Sequence, residues 1–277
     1  MAKLLQFPEP PRDAALAAAQ EMMWDAWEEP VKAKRLKLAK QALATSDLCA
    51  DAWLMLARES ARTAEERIEM YSKAMSAGER AIGTHGFRDY KGMFWGFLET
   101  RPYMRARHCL AMELWSAGKR DEAVEHYQAM LALNPNDNQG IRYLLIDCLL
   151  TLGNEKQTQA LLKKFAQDGA ASWTYARALL SFRQHGDCAA SRKALANAMA
   201  SNRYVPSYLL RWRKMPRQLP DLVGIGDETE AISCALLGIE SWAAASGALD
   251  WLTTVELQRA PAARPRAVTK AKKGKTG

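Results

Sequence analysis

Glycine and proline interrupt the middle of this chain at a nearly constant interval, and no other feature restricts its fold as strongly. Gly118, Gly153 and Gly186 lie 35 and 33 residues apart. In the stretch LNPNDNQGIRYLL, Pro135 ends one helix-like run and a second apolar run begins almost at once. Proline cannot continue a helix, and the segment Asn136 to Asn138 is suited to capping the next one. This interval predicts stacked helix pairs, because one pair alone cannot bury its apolar face.

The composition also favours helices. Hydrophobic residues make up 48% of the 277 residues, which is enough to bury a sizeable core. Alanine and leucine dominate, and glycine and proline are sparse between residues 12 and 200. We predict an all-α fold: about four antiparallel helix pairs stacked as a right-handed α-solenoid, with a C-terminal helical cap.

The segment from Met104 to Pro135 carries the details of one repeat. It resembles the tetratricopeptide repeat (TPR), W-x₂-L-G-x₂-Y…A-x₃-F…P, in a unit of about 34 residues. An earlier W-x₂-L-A begins at Trp53. The matching positions are Leu110, Ala111, Ala123, Tyr127 and Pro135, whereas Arg107 stands where tryptophan is usual.

A second resemblance is more specific. FWGFLETRPYMRARHCLA (Phe94–Ala111), together with LNPNDNQGIRYLL, is similar to the TPR proteins of the suppressor of tumorigenicity seven family. The similarity extends over roughly residues 50–255. It implies a TPR fold, and it supplies no catalytic residues that could be transferred to this chain.

Changes in composition divide the chain into three parts. Residues 1–11 are predicted to form a flexible, proline-rich lead. Residues 12–256 form the repeat domain, with an aromatic insert at 84–102 and a capping region at 211–256. Residues 257–277 are predicted to be a disordered basic tail.

The net charge of +8 belongs mostly to that tail. Residues 257–277 hold seven basic residues and no acid, which leaves 39 − 7 = 32 basic against 31 acidic residues elsewhere. A basic tail could bind nucleic acid through phosphates, and this is the alternative function. Because the tail contains no aromatic residue, base stacking is not expected.

Five widely separated cysteines without a CxxC pair indicate reduced thiols and a reducing compartment. The apolar start MAKLLQF is too short for a signal sequence. No run approaches the ~18 apolar residues that span a membrane. We therefore expect a cytoplasmic protein with no membrane partner.

The first helix of each TPR pair lines a concave groove, so the resemblance implies a binding surface there. We expect Arg105 and Arg142 to bind a partner's carboxylate in a bidentate manner. The alternative is that these arginines are structural and pair with Glu99, Glu113 or Asp147. The predicted groove residues are Asp51, Leu54, Arg58, Arg105, His108, Met112, Gln139, Arg142 and Ile146.

The aromatic insert has two interpretations. Phe94, Trp95 and Tyr103, with the neighbouring arginines, could form an exposed binding patch. We favour the view that the aromatic residues fill the gap between helix pairs, because large aromatics in helical stacks are usually buried.

Catalytic and metal-binding motifs are weak. His108 and Cys109 are adjacent, but neighbouring residues on a helix point about 100° apart, so they do not converge. GxSxG, P-loop, HExxH and metal-ligand spacings are missing from the sequence. We predict a non-catalytic scaffold or adaptor for a protein or peptide partner, with no cofactor or metal. A buried polar cluster at His108 and His126 that lined a closed pocket would favour an enzyme instead.

Overall fold

The computed structural model describes residues 13–259, and over that range the chain forms thirteen α-helices and no strand. The predicted lead at 1–11 lies outside the described residues. The same holds for the predicted basic tail, apart from its first three residues. Leu257 and Gln258 complete the last helix, and Arg259 donates to Glu256 at 2.8 Å.

The chain divides after Ile141 into two compact units. In unit 1, consecutive helices pack together in pairs, and the first helices of the pairs also contact one another: α1 with α3, and α3 with α5. Short connections make each pair antiparallel. The helices are α1 (Ala14–Glu28), α2 (Lys32–Thr45), α3 (Ala50–Ser60), α4 (Ala64–Asp89), α5 (Arg101–Ser116) and α6 (Arg120–Leu133).

Local signals explain where these helices begin and end. Asp13 caps α1 by accepting from the backbone N–H groups of Ala15 and Leu16 at 2.9 and 3.1 Å. Pro102 occupies the first turn of α5, where a missing N–H costs nothing. Gly118 has φ +82° between α5 and α6, a conformation that residues with a side chain rarely adopt.

The core of unit 1 packs small residues against large ones. One cluster joins α1, α2 and α3 around Ala19, Met23 and Ala39. A second cluster joins α3 to α6 around Leu54, Ala74 and Leu110. This is the small-against-large packing that the repeat pattern predicts.

The predicted insert at 84–102 is partly helical. Helix α4 continues to Asp89 across a kink at Gly83, where φ is +65°. Two 3₁₀ turns, Phe94–Gly96 and Leu98–Thr100, lead into α5. Phe94 is fully buried, and its ring lies 5.1 Å from that of Phe87 and 6.2 Å from that of Tyr103. Of the aromatic residues in the insert, Phe94 is therefore part of the core.

Unit 2 is organised around α9, which packs against α8, α10, α12 and α13. Trp173 of α9 is fully buried, with its ring 6.0 Å from Tyr143 and 5.9 Å from Phe165. Helix α7 begins at the boundary between the units. The helices are α7 (Ile141–Thr151), α8 (Glu155–Lys164), α9 (Ala171–His185), α10 (Ala189–Ser201), α11 (Val205–Leu209), α12 (Glu228–Ala244) and α13 (Ala248–Gln258).

The predicted fold class is confirmed: residues 13–259 are all-α and consist of TPR-type helix pairs followed by closing helices. Helices α9 and α10 form the last pair, and α12 with most of α13 lies in the predicted capping region at 211–256. Within residues 13–259, no single helix is long and apolar enough to cross a membrane. Helices α12 and α13 reach that length and composition only as a pair, which is bent by 118°.

Candidate functional site: a cavity on the inner helices of unit 1

Four of the predicted groove residues line one cavity of about 480 Å³ in unit 1. Asp51, Leu54 and Arg58 lie on one face of α3, because residues three or four apart share a face of a helix. Arg105 reaches the cavity from α5, Trp27 from α1 and Arg35 from α2. We call this the unit-1 cavity; Met55 and Glu59 of α3 complete its lining.

Arg105 forms an ion pair with a buried acid. Its Nε and Nη2 donate to the two carboxylate oxygens of Asp51 at 3.0 and 2.6 Å. Asp51 is completely buried, and it also accepts from the Nε2 of Gln20 at 3.0 Å. The guanidinium lies 5.4 Å from the ring centroid of Trp27. This two-bond pairing leaves Arg105 as a clamp between α3 and α5.

Arg35 and Glu59 form a second clamp, between α2 and α3. The Arg35 Nε donates to the Glu59 Oε1 at 2.6 Å, and its Nη1 donates to the carbonyls of Glu29 and Pro30 at 3.0 and 2.9 Å. The other carboxylate oxygen of Glu59 is buried and has no hydrogen-bond partner. The cavity wall therefore carries one unsatisfied acceptor.

Arg58 differs from the other two arginines of the unit-1 cavity. The side chain is exposed, its Nη2 lies 3.4 Å from the Sγ of Cys109, a weak acceptor, and its guanidinium also hydrogen-bonds with the neutral Tyr71 hydroxyl. No carboxylate among residues 13–259 pairs with it. Arg58 is thus the cation of this cavity that has an open position for an anionic group.

The remaining predicted residues of unit 1 lie outside this cavity. Met112 is 49% exposed on α5. His108 is half-buried, and burial, followed by the nearby Arg58 charge, lowers its pKa. Gln139 is half-buried in the turn before α7, and its Oε1 is buried without a hydrogen-bond partner.

His108 and His126 do not line the unit-1 cavity. The Nε2 of His108 and the Nδ1 of His126 are buried without hydrogen-bond partners. Burial, followed by the charge of Arg107, lowers the pKa of His126. Among residues 13–259, no group of three histidine, cysteine or acidic side chains could hold a metal ion.

In unit 2, Arg142 also forms an ion pair with an acid. Its Nε donates to the Asp168 Oδ2 at 2.6 Å, and its guanidinium lies 4.3 Å from the ring centroid of Tyr143. The Tyr143 hydroxyl donates to the same Asp168 oxygen at 2.9 Å. Burial of Asp168 opposes ionisation, but the Ala170 N–H and the Arg142 guanidinium outweigh it and lower its pKa.

Both arginines therefore pair with acids of the chain itself, as in the alternative, but these acids are not the ones that the alternative named. Glu113 pairs with Arg67 at 2.8 Å, Glu99 is exposed, and Asp147 accepts from Ser241. In the aromatic insert, Arg101 also bonds within the chain, since its Nε donates to the carbonyl of Trp95 at 3.0 Å.

Sequence reasoning missed Trp27, Arg35, Met55 and Glu59. Trp27 shares the face of α1 that carries the buried Met23, a pattern typical of a core residue, yet it is 45% exposed. Arg35 and Glu59 had no local signal, because their pairing depends on how α2 packs against α3.

Known proteins similar to this chain include suppressor of tumorigenicity 7 protein-like from Bos taurus, 27% identical over 267 residues. The match covers 86% of this chain and 46% of that relative. Protein ST7 homolog from Caenorhabditis elegans is 26% identical over 280 residues, covering 86% of this chain and 51% of the relative. The chain thus spans about half the length of these relatives.

A solved structure, the crystal structure of YrrB, a TPR protein with an unusual peptide-binding site, has a TM-score of 0.45 and 17% identity. The match covers 67% of this chain and 84% of that one. The model of the family described as ST7 protein matches residues 11–262. Since this range includes nearly all of the sequence, the chain belongs to the ST7 protein family.

Proposed function

We propose that this chain is a non-catalytic scaffold that binds a protein or peptide partner in the unit-1 cavity. The observation that carries the proposal is the convergence of Trp27 and Arg58 on one cavity with apolar walls at Leu54 and Met55. Tryptophan and arginine supply much of the binding energy in protein interfaces. A partner segment with an apolar side chain next to a carboxylate fits this chemistry.

The two clamps support this proposal because they hold the cavity in shape before a partner arrives. Arg105 ties α5 to Asp51 of α3, and Arg35 ties α2 to Glu59 of the same helix. A preorganised surface loses little conformational entropy on binding. The ST7 family membership and the all-α helix-pair fold agree with a non-enzymatic scaffold.

Selection and variant binding would test the proposal. A random peptide library displayed on phage is selected against the immobilised full chain, and an enriched peptide is synthesised for fluorescence polarisation. We expect Trp27→Ala and Arg58→Glu each to weaken its binding by about 10-fold or more, as interface anchors do.

Matched controls come from the same unit. Trp24→Ala removes an exposed tryptophan one turn away, and Arg62→Glu reverses an exposed arginine outside the cavity. Both should change the affinity by less than about threefold. Failure to enrich any peptide, or equal losses in control and cavity variants, would contradict the proposal.

Two expectations from the sequence stand beside this proposal: a cytoplasmic location and, as the alternative function, nucleic-acid binding. The cytoplasmic location is based on the cysteine pattern. Nucleic-acid binding by the basic tail is based on residues outside the described range. It predicts binding that falls steeply with salt and is lost on deletion of residues 257–277.

A further inference from the structure

Unit 2 contains a cavity of its own, with a carboxyl group in its wall. Helix α7 contributes Tyr143 and Asp147, α9 contributes Ser172 and Tyr175, and α12 contributes Ser241 and Trp242. Its volume of about 20 Å³ is room for roughly one water-sized group. We call this the Asp147 cavity.

Among the described residues that line this cavity, Asp147 is the acid, and none is a lysine, arginine or histidine. Its hydrogen-bond partner is the Ser241 hydroxyl, which also lies 3.0 Å from the Gly238 carbonyl, and the charge that acts on it is another acid, Glu240. The residue is half-buried, and burial is the largest influence on the pKa of its carboxyl group. Arg142, in the preceding turn of α7, is committed to Asp168.

A buried carboxylate without a cation is costly, and the protein can relieve the cost in two ways. It can take up a proton: burial raises the pKa of Asp147 to about 7, with Glu240 adding to the rise and Ser241 opposing it. Alternatively, a cation can enter the cavity. The other titratable side chains of the lining, Tyr143, Tyr175 and Cys234, have pKa values raised by burial and are neutral near pH 7.

We propose that the Asp147 cavity binds a primary ammonium group, the chemistry of a lysine side chain or a free alkylamine. This goes beyond the unit-1 cavity and does not depend on it. An ammonium group is close to water in size, so it fits the available volume, whereas a guanidinium or a quaternary ammonium does not. Its three N–H donors meet the Asp147 carboxylate and the hydroxyls of Ser172 and Ser241, next to the rings of Tyr175 and Trp242.

The sign of the pH dependence makes the proposal testable. In the unfolded chain an aspartate ionises near pH 3.9, whereas folded Asp147 keeps its proton up to about pH 7. The folded state thus binds more protons between these values, so this group lowers stability as the pH rises from about 4 to about 7. Above pH 7 Asp147 is ionised, and the folded state then has the full free-energy cost of a buried carboxylate. A bound ammonium group would reduce that cost.

The experiment is thermal unfolding of the full chain with n-butylammonium chloride, against equal concentrations of NaCl and of tetramethylammonium chloride. At pH 8 we expect n-butylammonium alone to raise the melting temperature, saturably and by about 3 °C. At pH 5 the carboxyl is protonated, so the wild type should lose the response. Asp147→Asn should lose it at pH 8, and Asp221→Asn, which changes an exposed acid elsewhere in unit 2, should keep it.

The outcomes separate the possibilities. Equal rises with NaCl, a response at pH 5, or a response retained by Asp147→Asn would each overturn the proposal. A short acetylated and amidated lysine peptide that binds more tightly than n-butylammonium would assign the site to a protein side chain. Equal or weaker binding would assign it to a free amine, and both results support an ammonium site.

Discussion

The pairing of Asp51 with Arg105 shows how one contact can occupy the charges of two residues on a predicted binding surface. Asp51 is completely buried, and its two oxygens receive both Arg105 donors. Loss of one member of such a pair leaves an uncompensated charge in the core. The stability of unit 1, rather than partner binding, is therefore the first property that these residues control.

We expect Arg105→Ala to lower the free energy of unfolding by about 2–3 kcal/mol, less than for a fully buried pair because Arg105 is 33% exposed. Urea denaturation of the full chain measures this change. Arg80→Ala is the matched control, since Arg80 pairs with Asp47 at 2.9 Å on the surface, where such pairs contribute below about 1 kcal/mol. Equal losses in the two variants would contradict the assignment of Arg105 as a structural clamp.

The two half-buried histidines predict a loss of stability in mild acid. Burial lowers the pKa of both His108 and His126. The unfolded chain takes up protons near pH 6.5, and the folded state takes them up only at lower pH, so the contribution of these two groups to stability falls as the pH drops below about 6.5. Protonation of Asp147 acts in the opposite direction over the same range, so urea midpoints at pH 7 and pH 5 are compared between variants.

A double variant isolates the contribution of these two groups. His108→Gln/His126→Gln should lose less stability between pH 7 and pH 5 than the wild type does. His85→Gln, at an exposed histidine of the same unit, should follow the wild type. If the double variant and the wild type have the same pH dependence, the buried imidazoles are not responsible.

At the scale of helices, one glycine sets how closely α4 and α5 approach. A Cβ added at Gly78 would lie 2.9 Å from both the Cα and the Cβ of Tyr103. Neither atom can move without shifting the backbone of α5. The contact between these helices therefore requires glycine, although alanine is the better helix former.

Gly78→Ala should accordingly destabilise the protein by about 1–3 kcal/mol through overpacking. In Gly96→Ala, where the nearest heavy atom would be 4.0 Å from the new Cβ, the change should be below about 0.5 kcal/mol. Differential scanning calorimetry of both variants measures the difference. A stabilising Gly78→Ala would show that α4 and α5 can separate at little cost.

At the scale of the whole chain, the two proposed sites are built from different units. The unit-1 cavity uses residues 27–105, and the Asp147 cavity uses residues 143–242. No residue is shared between them. The sites should therefore respond independently to substitution.

We expect Trp27→Ala to leave the response to n-butylammonium unchanged, and Asp147→Asn to leave the affinity for the selected peptide within about twofold of the wild type. Fluorescence polarisation and thermal unfolding measure these effects on the same protein preparations. A loss of both activities in either variant would indicate one shared site, or a folding defect.

Much of the fold could be predicted because its signals are local. The positions of Gly118, Gly153 and Pro135 mark the helix ends, since backbone freedom and the missing N–H act within one turn. The later helix pairs and the closing helices were predicted for the same reason. The insert was less predictable, because α4 continues across the kink at Gly83. A glycine inside a helical run is equally typical of a helix end.

The chemistry of the two proposed sites depends on contacts between residues far apart in the sequence, which no local sequence pattern encodes. Arg105 meets Asp51 across 54 residues, and Arg142 meets Asp168 across 26. In stacked helix pairs, the neighbours of a side chain come from other helices, so the charge left open for a ligand is known only after packing. Helix boundaries follow from short-range backbone chemistry, whereas the open position at Arg58 and the missing cation at Asp147 follow from long-range pairing.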